Sequence, residues 1–229
     1  MAGIFKIICT PIGNLADISY RASKALNESK IILSEDTRRA RCLFYGLNLE
    51  LAKKRFVSCH QHNEKSRFLF IMNELKRNND IVLISDSGAP TISDPGGFII
   101  RFLVKNGVKI EVIPGASAII AALIGSGLNI RRYVFLGFLP RKKLKCKHLL
   151  ISVIKLGFTV VIFESPFRVK NTLMNLYIWC GRREVVVARE LTKRYETFHR
   201  GMLGSELSPN FIIKGEAVIL VSGKNNLMK

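Results

Sequence analysis

Six times along this chain a short apolar run stops abruptly at a cluster of glycines, prolines, hydroxyls and charges. The clusters are Thr10-Pro11-Ile12-Gly13-Asn14-Leu15, Glu35-Asp36-Thr37-Arg38, the loop that ends the stretch VLISDSGAPTISDPG (82–96), Pro114-Gly115-Ala116-Ser117-Ala118, Glu164-Ser165-Pro166-Phe167-Arg168, and Ala188-Arg189-Glu190-Leu191-Thr192-Lys193. The apolar runs have strand length, and amphipathic runs of helical period lie between them, a pattern that predicts mainly parallel sheet. Ligands of open parallel sheets bind beyond the carboxyl ends of the strands, so edges of this kind in two domains predict one shared cleft. The expected fold class is therefore α/β, with two α/β domains and a ligand cleft between them.

The first half reads as strands at Ile4–Thr10, Lys30–Ser34, Arg55–Cys59, Ile81–Ser85 and Lys109–Ile113. Helices are expected at Ile18–Ser29 behind an Asp17 cap, at Glu64–Lys76, and from an Asp94-Pro95 cap and first-turn pair to Gly107. The second half reads as strands Tyr133–Phe138, Thr159–Phe163, Glu184–Ala188 and Ala217–Val221, with helices at Lys143–Leu156 and Phe167–Cys180 and a hairpin near Tyr195–Arg200. Gly125-Ser126-Gly127 is taken as the hinge, which gives domains 1–125 and 126–229. The longest uncharged stretch, Val112–Ile130, is broken at both ends by glycine, leaving Ala118–Ile124 too short to span a bilayer and suited to a buried helix.

Composition narrows the partner. Lys and Arg number 36 against 17 Asp and Glu, a formal charge of +19, with local clusters at Arg38-Arg39-Ala40-Arg41 and Arg141-Lys142-Lys143. Such a chain attracts polyanions, nucleic acid first among them. Five cysteines without a Cys-x-x-Cys pair argue for a reducing, cytoplasmic setting and against a disulfide framework. No metal is expected: Cys59-His60-Gln61-His62 lacks zinc-ligand spacing. The N-terminus lacks the pattern of a secretory signal, and no membrane partner is expected. Neither phosphate-loop glycine pattern is present, so Gly13, Gly88 and Gly115 read instead as places where backbone approaches a small ligand closely.

The segments TPIGNLADI, SEDTR, HQHNE, SDSGAPTISDPG, VIPGASA, FLGFLP, ESPFR and ARELTK, in that order from about Ile4 to Gly223, resemble the ribosomal RNA small subunit methyltransferase I family of the tetrapyrrole methylase superfamily. The resemblance implies S-adenosylmethionine as cofactor and methyl transfer to the ribose 2′-hydroxyl of a cytidine in the decoding region of 16S rRNA. It also implies a homodimer acting on that RNA or on the assembled small subunit. Alternative readings are a tetrapyrrole methyltransferase and a non-catalytic rRNA-binding assembly factor. The chain departs from the family at Ser87-Gly88-Ala89-Pro90-Thr91, where Ala-Gly-Thr-Pro-Leu is usual, at Ala116, often Pro, and at Phe167, often His. The small C-terminal domain common in the family has no counterpart before Lys229.

By similarity, Ile12, Asp86, Gly88, Ala89, Ile92, Ser117, Ala118, Phe163, Glu164, Leu191 and Thr192 line the cofactor site. Transfer to a ribose hydroxyl calls for a base and a cation near the developing alkoxide. Glu35 or Asp36 is expected as the base, with Lys193 or Arg168 supporting the oxyanion or a phosphate. RNA contact is expected at Arg38, His60, His62, Asn63, Arg141, Lys142 and Lys143, with salt-sensitive affinity.

Overall fold

The computed structural model describes residues 3–205 and 214–223. Two compact units divide between Ser117 and Ala118. In the first, strands β1 (Phe5–Ile8), β2 (Ile31–Ser34), β3 (Arg55–Ser58), β4 (Ile81–Ile84) and β5 (Ile110–Ile113) alternate with helices α1 (Tyr20–Glu28), α2 (Thr37–Gly46), α3 (Phe68–Lys76) and α4 (Gly97–Lys105). All strands are parallel, in the order β3-β2-β4-β1-β5. Both faces are covered, which is why the strands are nearly unbroken apolar runs. With a two-residue period, Ile31, Leu33, Ile81 and Leu83 turn towards Ile71, Leu75, Ile99 and Leu103. Ile32, Val82 and Ile84 turn the other way, towards Leu26, Ala40 and Phe44.

The second unit holds helix α5 (Ala118–Ser126), strand β6 (Tyr133–Phe138), α6 (Lys143–Ile154), β7 (Thr159–Glu164), α7 (Val169–Cys180), β8 (Glu184–Arg189), β9 (Thr197–Met202) and β10 (Ala217–Val221). Its sheet is mixed, in the order β6-β7-β10-β8-β9. Central β10 runs antiparallel to both neighbours, and Ala217 lies opposite Glu164 on one side and Arg189 on the other. The polar clusters that follow β7 and β8 therefore share one sheet edge. Core residues Val160, Ile162, Val187 and Ile219 meet Leu150, Leu173 and Leu176 of α6 and α7, while α5 packs on β8, β9 and β10.

Five expectations are corrected. The 37–46 segment, passed over in the sequence, is helical, with Ala40 and Phe44 one turn apart on its buried side. Asp17 lies in a short 3-10 turn, and it is Ser19 that caps α1 by accepting from the Ala22 amide. Asp94 does not cap α4, which begins behind Gly96 at φ +118° with no side-chain cap of its own. The boundary falls before α5 rather than at 125/126, because α5 belongs to the second sheet. Its carboxyl end is stapled there: Arg200 of β9 donates through Nε to the Ser126 carbonyl at 3.1 Å and through its guanidinium to the Gly125 carbonyl. Gly125 is thus a packing position, since a Cβ there would run into the Phe198 ring. The helix also differs from the buried one expected, for Ile120 and Ile124 are exposed.

Gly125→Val should cost about 1–3 kcal/mol through overpacking against Phe198. Urea unfolding of the variant checks this, and an unchanged midpoint would show that the ring yields freely.

Candidate functional site

In the first unit the loops after β1, β4 and β5 converge. The Gly88 carbonyl accepts from the Thr10 amide at 2.8 Å and from the Ser85 hydroxyl at 3.0 Å. Gly88 is left-handed, at φ +76°, and a Cβ on it would touch Ile12 Cγ2 at 3.0 Å and lie 3.7 Å from the Ala116 carbonyl oxygen. A Cβ on Gly115 would likewise lie 3.0 Å from the Cys9 Cβ and 3.2 Å from the Cys9 carbonyl oxygen. Ile12, Gly88 and the 115–116 turn therefore form one backbone-lined corner, with Ala89 and exposed Ile92 continuing from it. Thr91 and Ser93 also have positive φ, 71° and 68°. Non-glycine residues of this kind, above all a β-branched threonine, are strained and cluster at functional sites.

Carboxylates crowd the same edge. Asp86 accepts from the Asp36 amide at 3.2 Å and pairs with Arg39 at 3.3 Å. Asp36 caps α2 by accepting from the Arg38 amide at 2.8 Å and pairs with the Arg38 guanidinium at 2.7 Å. The side-chain bond from Arg38 and its amide hold the Asp36 carboxyl well below the usual carboxylate range. Asp94 behaves oppositely. Burial, then the charges of Glu35 and Asp86, push it up to about 6, against a weaker opposing bond from Ser85.

Beyond Asp94, a further carboxylate fixes the start of α4. Buried Glu64 accepts from the Gly96 amide at 2.9 Å and the Phe98 amide at 3.2 Å, taking over the capping of α4. Asn63 shapes the turn before it, accepting from the His60 amide at 2.8 Å and donating to the Ser58 carbonyl at 3.2 Å. The rings of His60 and His62 lie 6.0 Å apart at the turn. Asp94 and Glu64 are the residues that sequence reasoning missed in this role. The signal for Asp94 was Pro95-Gly96-Gly97, since two successive glycines are a poor first turn for a helix capped at Asp94.

In the second unit Glu164 is buried, accepting from the Thr172 hydroxyl at 2.7 Å and the Ser165 amide at 2.9 Å, with Arg168 Nε at 3.4 Å. Phe163 stacks edge-on with Phe135 at 4.8 Å. Lys193 is clamped by Glu190 at 3.1 Å and Glu216 at 3.0 Å. Burial lowers the Lys193 pKa, but the two carboxylates outweigh it and leave the ammonium raised. Leu191 is buried, and the Thr192 hydroxyl, at a left-handed residue (φ 64°), is buried without a hydrogen-bond partner among the described residues. Arg141, Lys142 and Lys143 are exposed at the start of α6. Among the described residues no group of three His, Cys, Asp or Glu could hold a metal ion, and no helix is long and apolar enough to cross a membrane.

The family described as Tetrapyrrole (Corrin/Porphyrin) Methylases matches residues 5–205. A relative from Thermotoga maritima named ribosomal RNA small subunit methyltransferase I is 40% identical over 95% of this chain and 97% of its own length. The chain belongs to the ribosomal RNA small subunit methyltransferase I family. A second relative of that name, from Halalkalibacterium halodurans, is 39% identical over 96% of this chain and 76% of its own. In fold the chain is similar to uroporphyrin-III C-methyl transferase from Thermus thermophilus, solved in complex with S-adenyl homocysteine, at a TM-score of 0.65 and 15% identity over 96% of this chain and 97% of that one.

An acid with a raised folded-state pKa contributes stability that is present below its unfolded pKa and lost as pH rises through the folded value. For Asp94 that window runs from about 4 to about 6. Asp94→Asn should therefore gain stability relative to the parent at pH 8 and not at pH 4. Urea midpoints at the two pH values check this, and an equal offset at both would show that Asp94 is not held against its ionisation.

Proposed function

We propose that this protein transfers a methyl group from S-adenosylmethionine to the ribose 2′-hydroxyl of a cytidine in the decoding region of 16S rRNA. It acts in the cytoplasm, on the RNA or the assembled small subunit, as a homodimer. The observation that carries this reading is similarity over nearly all of this chain to relatives named ribosomal RNA small subunit methyltransferase I. A charge of +19 suits an RNA substrate better than a small tetrapyrrole.

The residues present fit the cofactor. The corner offers the main chain of Gly88 and Ala116 beside the Ile12 side chain, and the Thr192 hydroxyl is buried with no hydrogen-bond partner among the described residues. The candidate cofactor residues are Ile12, Asp86, Gly88, Ala89, Ile92 and Ser117 in the first unit and Ala118, Phe163, Glu164, Leu191 and Thr192 in the second. Glu164 has committed its carboxylate to Thr172, Ser165 and Arg168, so its main chain is what remains to offer. Bound there, the sulfonium supplies an electrophilic methyl group.

The chain's own task is to orient the ribose and take its proton. Asp36 is spent on α2 and Arg38, and its low pKa makes it a weak base. Asp94 is poised near neutrality, ionised at working pH yet basic enough to accept a proton, and we assign it the base role with Glu35 beside it. Lys193 and Arg168, each held in place by carboxylates, serve the developing oxyanion or a phosphate. His60, His62, Arg38, Arg141, Lys142 and Lys143 meet the RNA, with Asn63 shaping the histidine turn.

The test is methylation of small subunits by the purified protein with labelled cofactor, followed by mass mapping of the modified nucleotide. Label on a cytidine ribose is expected, and label on a base or none at all overturns the reading. Gly88→Val should weaken cofactor binding at least about fivefold by calorimetry, through lost φ and contact with Ile12. In single-turnover assays Asp94→Asn should slow transfer about a hundredfold or more, and Asp36→Asn far less, with cofactor affinity kept. The reverse order would return the base to Asp36.

A further inference from the structure

Between α6 and α7 lies a cavity of about 210 Å³. Pockets for drug-sized ligands run from about 300 Å³ upward, so this one suits a fragment the size of a single base rather than a whole cofactor. Its apolar lining includes Leu139 and Leu150. From α7 come Asn171, Asn175 and Trp179, spaced four apart and so stacked on one face of the helix. Neither asparagine amide has a hydrogen-bond partner among the described residues, although each can donate and accept. Arg141 and Lys143 add charge and have no ion pair among the described residues, whereas Arg168, also in the lining, is offset by Glu164.

Those cations sit at a helix end that repels them. Lys142 and Lys143 open α6, whose first turn has no acidic residue and whose amino end is the positive pole of the helix. An anion at this point would relieve both the charge density and the helix dipole. Sequence-selective RNA recognition commonly takes an unstacked base against an aromatic ring and reads its edge with polar side chains. Apolar floor, ring, paired amides and unpaired cations are all present here together.

We propose that this cavity receives one unstacked nucleotide of the RNA substrate. The base lies beside Trp179 on the apolar floor, Asn171 and Asn175 read its edge, and Arg141 and Lys143 hold its phosphate. The proposal rests on the rRNA methyltransferase reading and adds a recognition subsite to it.

Trp179 is the only tryptophan in the chain and lies in the cavity lining, so tryptophan fluorescence reports on this place in the fold. Titration with short single-stranded RNA should quench it saturably, and more weakly at high salt. In Asn171→Asp/Asn175→Asp, which keeps side-chain size and adds negative charge, the RNA concentration for half-quenching should rise about tenfold, with cofactor affinity and circular dichroism unchanged. Unaltered quenching in that variant overturns the proposal, as does equal affinity for cytidine monophosphate, which would mark a free-mononucleotide site. Single-turnover methylation of small subunits separates the two readings. If the parent methylates and the double variant needs no more substrate than the parent does, the subsite is refuted while the function stands. If the parent does not methylate, the function fails and quenching alone decides the cavity's ligand.

Discussion

Burying a carboxylate costs several kcal/mol unless hydrogen bonds replace its water. Glu64 is buried with the Gly96 and Phe98 amides as its replacement, and in satisfying itself it sets where α4 begins. Everything between β4 and α4 is measured from that anchor. Ser85 and Gly88 are tied to β1 through Thr10, Gly96 is tied to Glu64, and the residues between must bridge two fixed points. The left-handed conformations at Gly88, Thr91, Ser93 and Gly96 are how the chain does so. Within that turn Asp94 is partly buried and feels the charges of Glu35 and Asp86.

The second unit repeats the device. Glu164, buried at the end of β7, bonds the Thr172 hydroxyl and the Ser165 amide and restrains Arg168 ahead of α7. In both units a strand ends on polar residues that serve the backbone first, which leaves a smaller set for chemistry than the motifs suggest. Asn63, Asp36 and Glu164 all stand in motifs that read as functional, and all three are occupied with a turn or a helix end.

Much of the fold was legible because burial on both faces writes itself into apolar runs. Tyr133–Phe138 and Ala217–Val221 emerge with the same bounds from sequence and structure. The failures have physical causes. Helix α2 hides beneath a charge cluster, its only apolar signal being a few residues such as Ala40 and Phe44. Asp17 and Asp94 are good capping residues by type, but Ser19 and Glu64 satisfy those amides instead, one by two positions of register and the other across some thirty residues of chain. No local pattern reports a cap that arrives from a distant turn. The same limit applies to the site: a carboxylate whose pKa is set by Glu35 and Asp86 is visible only once the strands are aligned.

The position of β10 has a consequence for biosynthesis. Every strand of the first sheet precedes Ser117, so that unit can close while the rest of the chain is still being translated. The second sheet has its last-made strand at its centre. Until Ala217–Val221 emerges, β7 and β8 have no partner between them, and their apolar inner residues Val161, Ile162, Val186 and Val187 wait exposed. A nascent chain stalled after β9 would hold one finished domain and one unzipped sheet, the form most in need of a chaperone.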